Sequence, residues 1–133
     1  MDRSRAEILT LLRDQTMALP EVVERAVYDG FCREWTPAYY IEDRRVRRQL
    51  FHVHDFPTGL RGTVFVGVRT LEPVLLNSTD GTPELKEALV QTKGARTKQL
   101  RVPLASPDDA ARFAQMVQVK WQFQQGWALG TNL

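Results

Sequence analysis

The chain begins with two segments whose apolar residues recur at helical spacing. The first predicts a helix over about Arg3–Met17. Its apolar stripe consists of Ile8, Leu11 and Leu12. The second predicts a helix over Pro20–Gly30, because proline suits a first helical turn and glycine ends a helix. Its apolar positions follow the same period and are Val22, Val23, Ala26 and Val27.

The middle of the chain changes to the two-residue alternation of strands. The segments WTPAYYIED, RRQLFHVHD and TVFVGVRTL, which begin at Trp35, Arg47 and Thr63, are rich in β-branched and aromatic residues. The charged Glu42–Arg45 turn separates the first two segments, and Gly59 and Gly62 precede the third. Because the connections are short, we expect three neighbouring antiparallel strands.

A helix, a strand and a longer helix follow. Thr82 is a predicted N-cap with Pro83 in the first turn, and the buried stripe consists of Leu85, Ala88 and Leu89. The segment TKQLRVPL then alternates, which predicts a strand that either lies at a sheet edge or ends at Pro103. Ser106 is the predicted cap of the last helix, with Asp108 and Asp109 at its positive end. Its apolar stripe is Ala110, Phe113, Ala114, Val117 and Trp121.

The predicted order is α-α-β-β-β-α-β-α. We therefore predict an α+β fold in one domain over residues 1–133, with an antiparallel sheet of about four strands and helices packed on one face. Residues 126–133 form an apolar tail that folds back on the body or packs on another subunit. A homodimer and a monomer are equally expected on this basis.

Composition supports one globular domain and restricts the partners. The 133 residues are 43% hydrophobic and 26% charged, which is ordinary for a folded domain. A net charge of +2 is too small to predict nucleic-acid binding without local clustering. The single Cys32 fits a reducing compartment, and neither a signal peptide nor an apolar run of membrane-spanning length occurs. These features predict a cytoplasmic protein without a membrane partner.

The sharpest local motif is His52-Val53-His54 on a predicted strand. Alternation directs the two imidazoles to one face, at a spacing that would let them bind zinc or iron if a third ligand converges. Asp55 and Cys32 are the candidates for that ligand, although Asp55 alternates to the opposite face. The competing interpretation is that Phe51 and Val53 face the core while the histidines face solvent or a groove.

Two basic clusters and one aromatic set are further candidates. The loop from Lys93 contains Gly94 and cations that suit a phosphate or carboxylate. A second cluster lies on the first hairpin, and both clusters together would predict a nucleic-acid surface if they share a face. The cations of the two clusters are Lys93, Arg96, Lys98 and Arg101, and Arg44, Arg45, Arg47 and Arg48. The alternative is that these charges are simply solvated.

The aromatic set consists of Trp35, Tyr39, Tyr40 and Trp121. These rings are predicted to line a small-molecule pocket or to belong to the core. In the first case Tyr39, Tyr40 and Arg101 would be its polar members, with Arg96 and Lys98 from the basic loop. No G-x-S-x-G, Walker, C-x-x-C or H-E-x-x-H motif occurs, and Cys32 is expected to be a buried structural thiol. The sequence therefore favours a binding protein over an enzyme.

Several of these segments resemble the YdhG-like and YjbR-like small bacterial α+β domains. The resemblance lies in Gly94, Arg96, Leu100, Arg101 and the Ser106–Asp109 helix start, with the segments Trp35–Tyr40 and Thr63–Val68 in the same layout. It implies an α+β fold and a bacterial origin. Some members of this group are linked to iron handling and others to nucleic acid, so the resemblance implies no single activity. We accordingly expect a module that binds a small molecule or anion, with nucleic-acid and metal binding as alternatives.

Overall fold

A computed structural model describes residues 3–43, 46–79 and 82–128. Within these residues the chain forms four helices and a five-stranded antiparallel sheet. The elements in chain order are α1 Arg3–Met17, β1 Val22–Asp29, β2 Glu34–Asp43, β3 Val46–Phe56, β4 Gly59–Gly67, α2 Leu71–Asn77, α3 Pro83–Gln91, β5 Thr97–Leu104 and α4 Pro107–Ala128. The α+β class and the antiparallel sheet are as predicted. Among the described residues, no helix combines the length and apolar character that crossing a membrane requires.

The sheet has the spatial order β1-β2-β3-β4-β5, so each strand lies next to its neighbour in sequence. The first four strands form a meander with short turns. Three of these strands, β2 to β4, are the ones that the sequence predicts as antiparallel neighbours. The chain then leaves the sheet through α2 and α3 and returns as β5, which pairs with β4 along its full length from Thr97 to Leu104. β1 and β5 are therefore the two edge strands.

The helices pack on one face of this sheet. Leu100, Val102 and Leu104 point to that face, and every second residue of β5 is buried as the alternation predicts. α4 crosses the sheet at Gly62, where an added Cβ would lie 2.5 Å from the Phe113 ring. The absence of a side chain at this position lets the helix approach the strand closely. The core lies between α1, α4 and the covered face of the sheet.

The helix predicted over Pro20–Gly30 is wrong. Residues Val22–Asp29 form β1, a fifth strand that the predicted count of about four omits. Three of its residues are valines, whose branched side chains favour strands. β1 is an edge strand with several exposed positions in its middle, so its burial does not alternate strictly and its pattern imitates a helix. Glu21, with a φ of 66°, lies in the left-handed region and prevents a helical start there.

The strand predicted to reach Leu71 is too long. β4 ends at Gly67, and Leu71–Asn77 form the short helix α2, which the sequence analysis did not predict. Because α2 has only seven residues, its hydrophobic period is too short to recognise from sequence. Leu71 and Leu75 are buried on the covered side of the sheet.

The two predicted N-caps are confirmed. The Leu85 N–H donates to Thr82 Oγ1 at 3.4 Å, and the Asp109 N–H donates to Ser106 Oγ at 3.1 Å. Asp109 also accepts a bond from the Ala105 N–H at 2.9 Å, which gives α4 two reciprocal capping interactions. Of the apolar tail, Gly126–Ala128 continue α4, and residues 129–133 lie outside the described residues.

Strand β3 contains a β-bulge that alters its alternation. Tyr39 pairs with Phe51 and Tyr40 with Gln49, so Leu50 is an extra residue in β3. As a result both Leu50 and Phe51 are fully buried. The bulge also brings Gln49 onto the same face as His52, which simple alternation would not do.

Candidate functional site

The face of the sheet opposite the helices carries a groove of about 530 Å³. Polar groups in its floor come from β1, β2, β3 and β5, and aromatic rings line part of its wall. Its polar and charged residues are Asp29, Thr36, Tyr40, Gln49, His52, His54, Gln99 and Arg101. Sheet faces left uncovered by helices are ordinarily polar, but here the polar groups converge on a concavity.

One row of the sheet brings His52 and Arg101 together. His52 pairs with Thr63, and Thr63 pairs with Arg101, so the three residues lie side by side on β3, β4 and β5. Neighbouring strands are about 4.8 Å apart, which places the backbones of His52 and Arg101 about 10 Å apart. Their long side chains can therefore contact one small ligand above Thr63.

A continuous chain of side-chain hydrogen bonds crosses the floor of the groove. The Asp29 carboxylate contacts His54 Nδ1, and His54 Nε2 lies 3.0 Å from His52 Nε2. His52 Nδ1 lies 3.1 Å from Gln49 Oε1, and the Gln49 amide nitrogen donates to the Tyr40 hydroxyl at 3.4 Å. His54 is buried and His52 is half-buried, so the chain leads from the interior to the groove.

The surroundings shift the pKa values of Asp29 and His52 within this chain. Burial acts to raise the pKa of Asp29, but hydrogen bonds from the Phe31 N–H, His54 and Cys32 outweigh it and hold the pKa below its ordinary value. The Phe31 N–H donates to the carboxylate at 2.8 Å. Burial and the neighbouring His54 lower the pKa of His52. Asp29 is therefore a carboxylate at neutral pH, and its charge lies next to His54.

Aromatic rings and arginines surround the histidines. The His52 ring lies 5.9 Å from the Phe65 ring between centroids, and the His54 ring stacks on Phe56 at 5.5 Å. The Arg47 guanidinium lies 5.7 Å from the centre of the Tyr40 ring. Phe31, which is 80% exposed, and the exposed Tyr28 also line the groove. The groove thus offers both cations and apolar surface to a ligand.

Two hydroxyl groups, those of Thr36 and Thr63, are buried on the open face of the sheet. Thr36 and Thr63 are 2% and 1% exposed, and within the described part of the chain their Oγ1 atoms have no hydrogen-bond partner. Thr63 lies between His52 and Arg101 in the register described above. Unsatisfied buried hydroxyls cost free energy, so such groups are expected near sites where a water or ligand supplies the missing partner.

Tyr39 and Lys98 lie on the other side of the sheet. Tyr39 is buried on the helix-covered side, and its hydroxyl donates to Glu24 at 2.6 Å. Lys98 is buried beneath α2 and α3, where its amine donates to Glu72 at 2.6 Å and to the Leu89 carbonyl oxygen at 2.9 Å. Because alternation directs them away from the groove, neither side chain is placed to contact a ligand there.

The predicted basic clusters are only partly assembled. Arg101 and Arg47 lie on the open face, Arg47 through its contact with Tyr40, while Lys93 and Arg96 are exposed in the loop before β5. Arg48 is half-buried and follows the opposite alternation from Arg47. Arg44 and Arg45 lie outside the described residues.

The predicted third metal ligands do not converge on the histidines. Asp55 pairs with Arg5 of α1, and Cys32 hydrogen-bonds Asp29 rather than an imidazole. Desolvation raises the pKa of the Cys32 thiol, which keeps it protonated at neutral pH. Over residues 3–43, 46–79 and 82–128, no group of three or more His, Cys, Asp or Glu side chains is arranged to hold a metal ion.

Asp29 and Gln49 are the two members of the hydrogen-bond chain that the sequence does not predict as site residues. Asp29 ends a segment predicted as helix, so its pairing beside the histidines depends on the missed strand β1. Gln49 reaches the open face only because of the bulge at Leu50. The Asp29–Gly30 sequence between apolar residues is a turn signal that favours a hairpin and would have been the available clue.

Comparisons with protein-family models, with curated proteins and with solved structures each find no match to this chain. The resemblance to YdhG-like and YjbR-like domains therefore stays a prediction.

Proposed function

We propose that this protein binds a small anionic molecule in the groove on the open face of the sheet. The observation that carries the proposal is the row His52–Thr63–Arg101, which places a cation and an imidazole on either side of one concavity. A volume of about 530 Å³ lies within the range of roughly 300–1,000 Å³ that is typical of small-molecule sites.

Arg101 is the main anion-binding group in this proposal. Its guanidinium is exposed and bonds weakly to Gln99 Oε1 at 3.4 Å, so it is available to a ligand. A guanidinium presents paired N–H donors that match a carboxylate or phosphate. His52 supplies a second polar contact, and Phe65 and Tyr40 supply apolar surface. The expected ligand is therefore a small carboxylate or phosphate that carries a planar or apolar part.

A thermal-shift screen of carboxylates and phosphates against the intact chain tests this proposal. We expect at least one ligand to raise the melting temperature, and we expect Arg101→Ala to weaken its affinity about tenfold or more, because a charge-assisted bond contributes about 1.5–3 kcal/mol. The matched control is Arg13→Ala, which removes an exposed arginine from α1 on the covered side. A flat screen, or equal losses in both variants, would contradict the proposal.

A second candidate function is the binding of single-stranded nucleic acid on the same face. Arg47 lies over Tyr40, and Arg61 lies over Phe56 at 5.4 Å, so aromatic rings and arginines alternate across the open sheet. Such a surface is typical of platforms on which successive bases stack. Fluorescence anisotropy with oligonucleotides distinguishes the two functions. Affinity that increases with oligonucleotide length and falls steeply with salt supports this candidate, and affinity independent of both rejects it.

A further inference from the structure

The geometry of the histidine pair points to a divalent metal ion bound between His52 Nε2 and His54 Nε2. This inference shares His52 with the proposed anion binding but rests on separate observations, which are the two imidazoles and their hydrogen-bond partners. It also does not require a third protein ligand, since the groove leaves the remaining coordination positions open to water or a ligand oxygen.

The Nδ1 atoms of both rings face hydrogen-bond acceptors. His54 Nδ1 faces the Asp29 carboxylate, and His52 Nδ1 faces Gln49 Oε1 at 3.1 Å. Both partners are acceptors, so both Nδ1 atoms carry a proton, and in its neutral form each ring has its lone pair on Nε2. Histidines that bind metals have this arrangement, in which a carboxylate or carbonyl oxygen holds the N–H remote from the ion.

The Nε2 atoms of the two rings lie close together. The Nε2 atoms lie 3.0 Å apart, at which two lone pairs repel unless a proton or a cation lies between them. Metal–nitrogen bonds of about 2.0–2.1 Å give a separation of about 2.9 Å for ligands at right angles and about 3.3 Å for tetrahedral ligands. The observed separation matches two neighbouring ligands of an octahedral or square-planar ion.

The ring centroids of His52 and His54 lie closer together than a straight shared-proton bond would place them. A straight N–H···N bond of this length would place the ring centroids about 5.3 Å apart, because hydrogen bonds prefer linear geometry. The centroids lie only 4.6 Å apart. Rings that each turn about 45° from the line between the nitrogens, toward one point, give about 4.6 Å. The centroid separation therefore equals the value expected for two imidazoles that bind one ion at right angles.

This geometry predicts the class of ion. Square-planar and octahedral sites with imidazole ligands suit Ni²⁺ and Cu²⁺, whereas Zn²⁺ favours tetrahedral ligands. Arg101 and Lys120 contribute positive charge near His52, which weakens the binding of any cation. We therefore expect micromolar rather than tighter affinity, with Ni²⁺ bound at least as tightly as Zn²⁺.

Calorimetric titration of the tag-free chain with Ni²⁺ and Zn²⁺ tests the inference. We expect one Ni²⁺ per chain at metal concentrations of about 100 µM or less, and no binding in His52→Ala. His52 is half-buried, so its loss is not expected to unfold the chain, and circular dichroism verifies this. Asp29→Asn is expected to lower the affinity about 10- to 100-fold by weakening the support of His54. Cys32→Ser, the control, removes the thiol but keeps a hydrogen-bond donor beside Asp29, so the affinity is expected to stay unchanged.

Spectroscopy of the Cu²⁺ form identifies the ligands directly. Electron paramagnetic resonance is expected to show coupling to two imidazole nitrogens in the native chain and in Cys32→Ser, but not in His52→Ala. No binding at these concentrations, or binding that His52→Ala leaves intact, would overturn the inference. Nitrogen NMR that shows one proton held between the two Nε2 atoms, with no displacement by added Ni²⁺, would assign the pair to proton sharing instead.

Discussion

Lys120 is buried where strands β3 and β4 separate. It is 3% exposed and reaches from α4, and its amine donates to the carbonyl oxygens of Leu50 and Phe65, both at 3.0 Å. Both carbonyls lie beyond the end of the β3–β4 ladder at His52–Thr63, so the lysine joins the two strands there. Burial lowers the pKa of Lys120 from 10.5 to about 8.

The lowered pKa of Lys120 predicts a stability that rises with pH. Below about pH 8 the amine is charged in both states, and the folded state bears the full cost of burying the charge. Between about 8 and 10.5 the unfolded chain binds more protons than the folded chain, so the free energy of unfolding increases with pH. A neutral amine keeps two N–H groups, which match the two carbonyl oxygens.

Denaturant unfolding of the native chain and of Lys120→Met at pH values from about 7 to 10 measures this effect. We expect the native chain to gain about 2 kcal/mol relative to the variant across this range. Titration of all other groups is common to both proteins and cancels in the difference. Parallel pH profiles for the two proteins would show that Lys120 titrates normally.

At the scale of elements, α4 is fixed to the sheet by the contact between Gly62 and Phe113. An added Cβ at Gly62 would lie 2.5 to 2.9 Å from three atoms of the Phe113 ring. Phe113 is fully buried and also packs edge-on against Phe51 at 5.1 Å, so the ring has little freedom to move.

Gly62→Ala is accordingly expected to lower the free energy of unfolding by about 1–3 kcal/mol through overpacking. The matched test is the double variant Gly62→Ala with Phe113→Leu, in which the smaller side chain removes the overlap. We expect the alanine to cost much less in the Phe113→Leu background than alone. Equal costs in both backgrounds, measured by denaturant unfolding, would mean that the contact does not limit the position of α4.

The helices and strands differ in how far their type and position could be predicted from the sequence. α3, α4 and β5 were predictable because a regular period agrees with a cap or with strict alternation, as in Leu100, Val102 and Leu104. The apolar stripe alone predicted α1. β1 was not, because an edge strand with exposed Arg25 and Ala26 lacks the alternation that burial imposes. Because β1 was predicted as a helix, Asp29 was not placed beside the histidines. Because Leu50 forms a bulge, Gln49 was not placed on the open face. Two of the five residues in the hydrogen-bond chain at the histidines thus depended on pairing and register, which are properties of the sheet rather than of a local segment.

At the scale of the whole molecule, the central strands and the edge strand β1 differ in how far they are buried from solvent. The central strands β3 and β4 are covered by α4, with Phe51, Val53 and Val64 fully buried. β1 pairs with β2 alone, and only Val22 and Asp29 of its eight residues are buried. The stability of β1 therefore depends mainly on one ladder of hydrogen bonds and on its hairpin turn, where the Arg33 N–H donates to the Asp29 carbonyl oxygen at 2.7 Å.

This difference predicts a graded pattern of amide hydrogen exchange. The amides of Val53 and Val64 are expected to exchange only through global unfolding, whereas those of β1 exchange through local opening with a lower free energy. Native-state exchange followed by NMR at increasing denaturant separates the two classes, because only global opening depends strongly on denaturant. Since β1 carries Asp29, Ni²⁺ bound at the histidines is expected to slow exchange at the end of β1 more than at its start. Equal protection of β1 and β4 in the metal-free chain would show that the sheet opens as one unit.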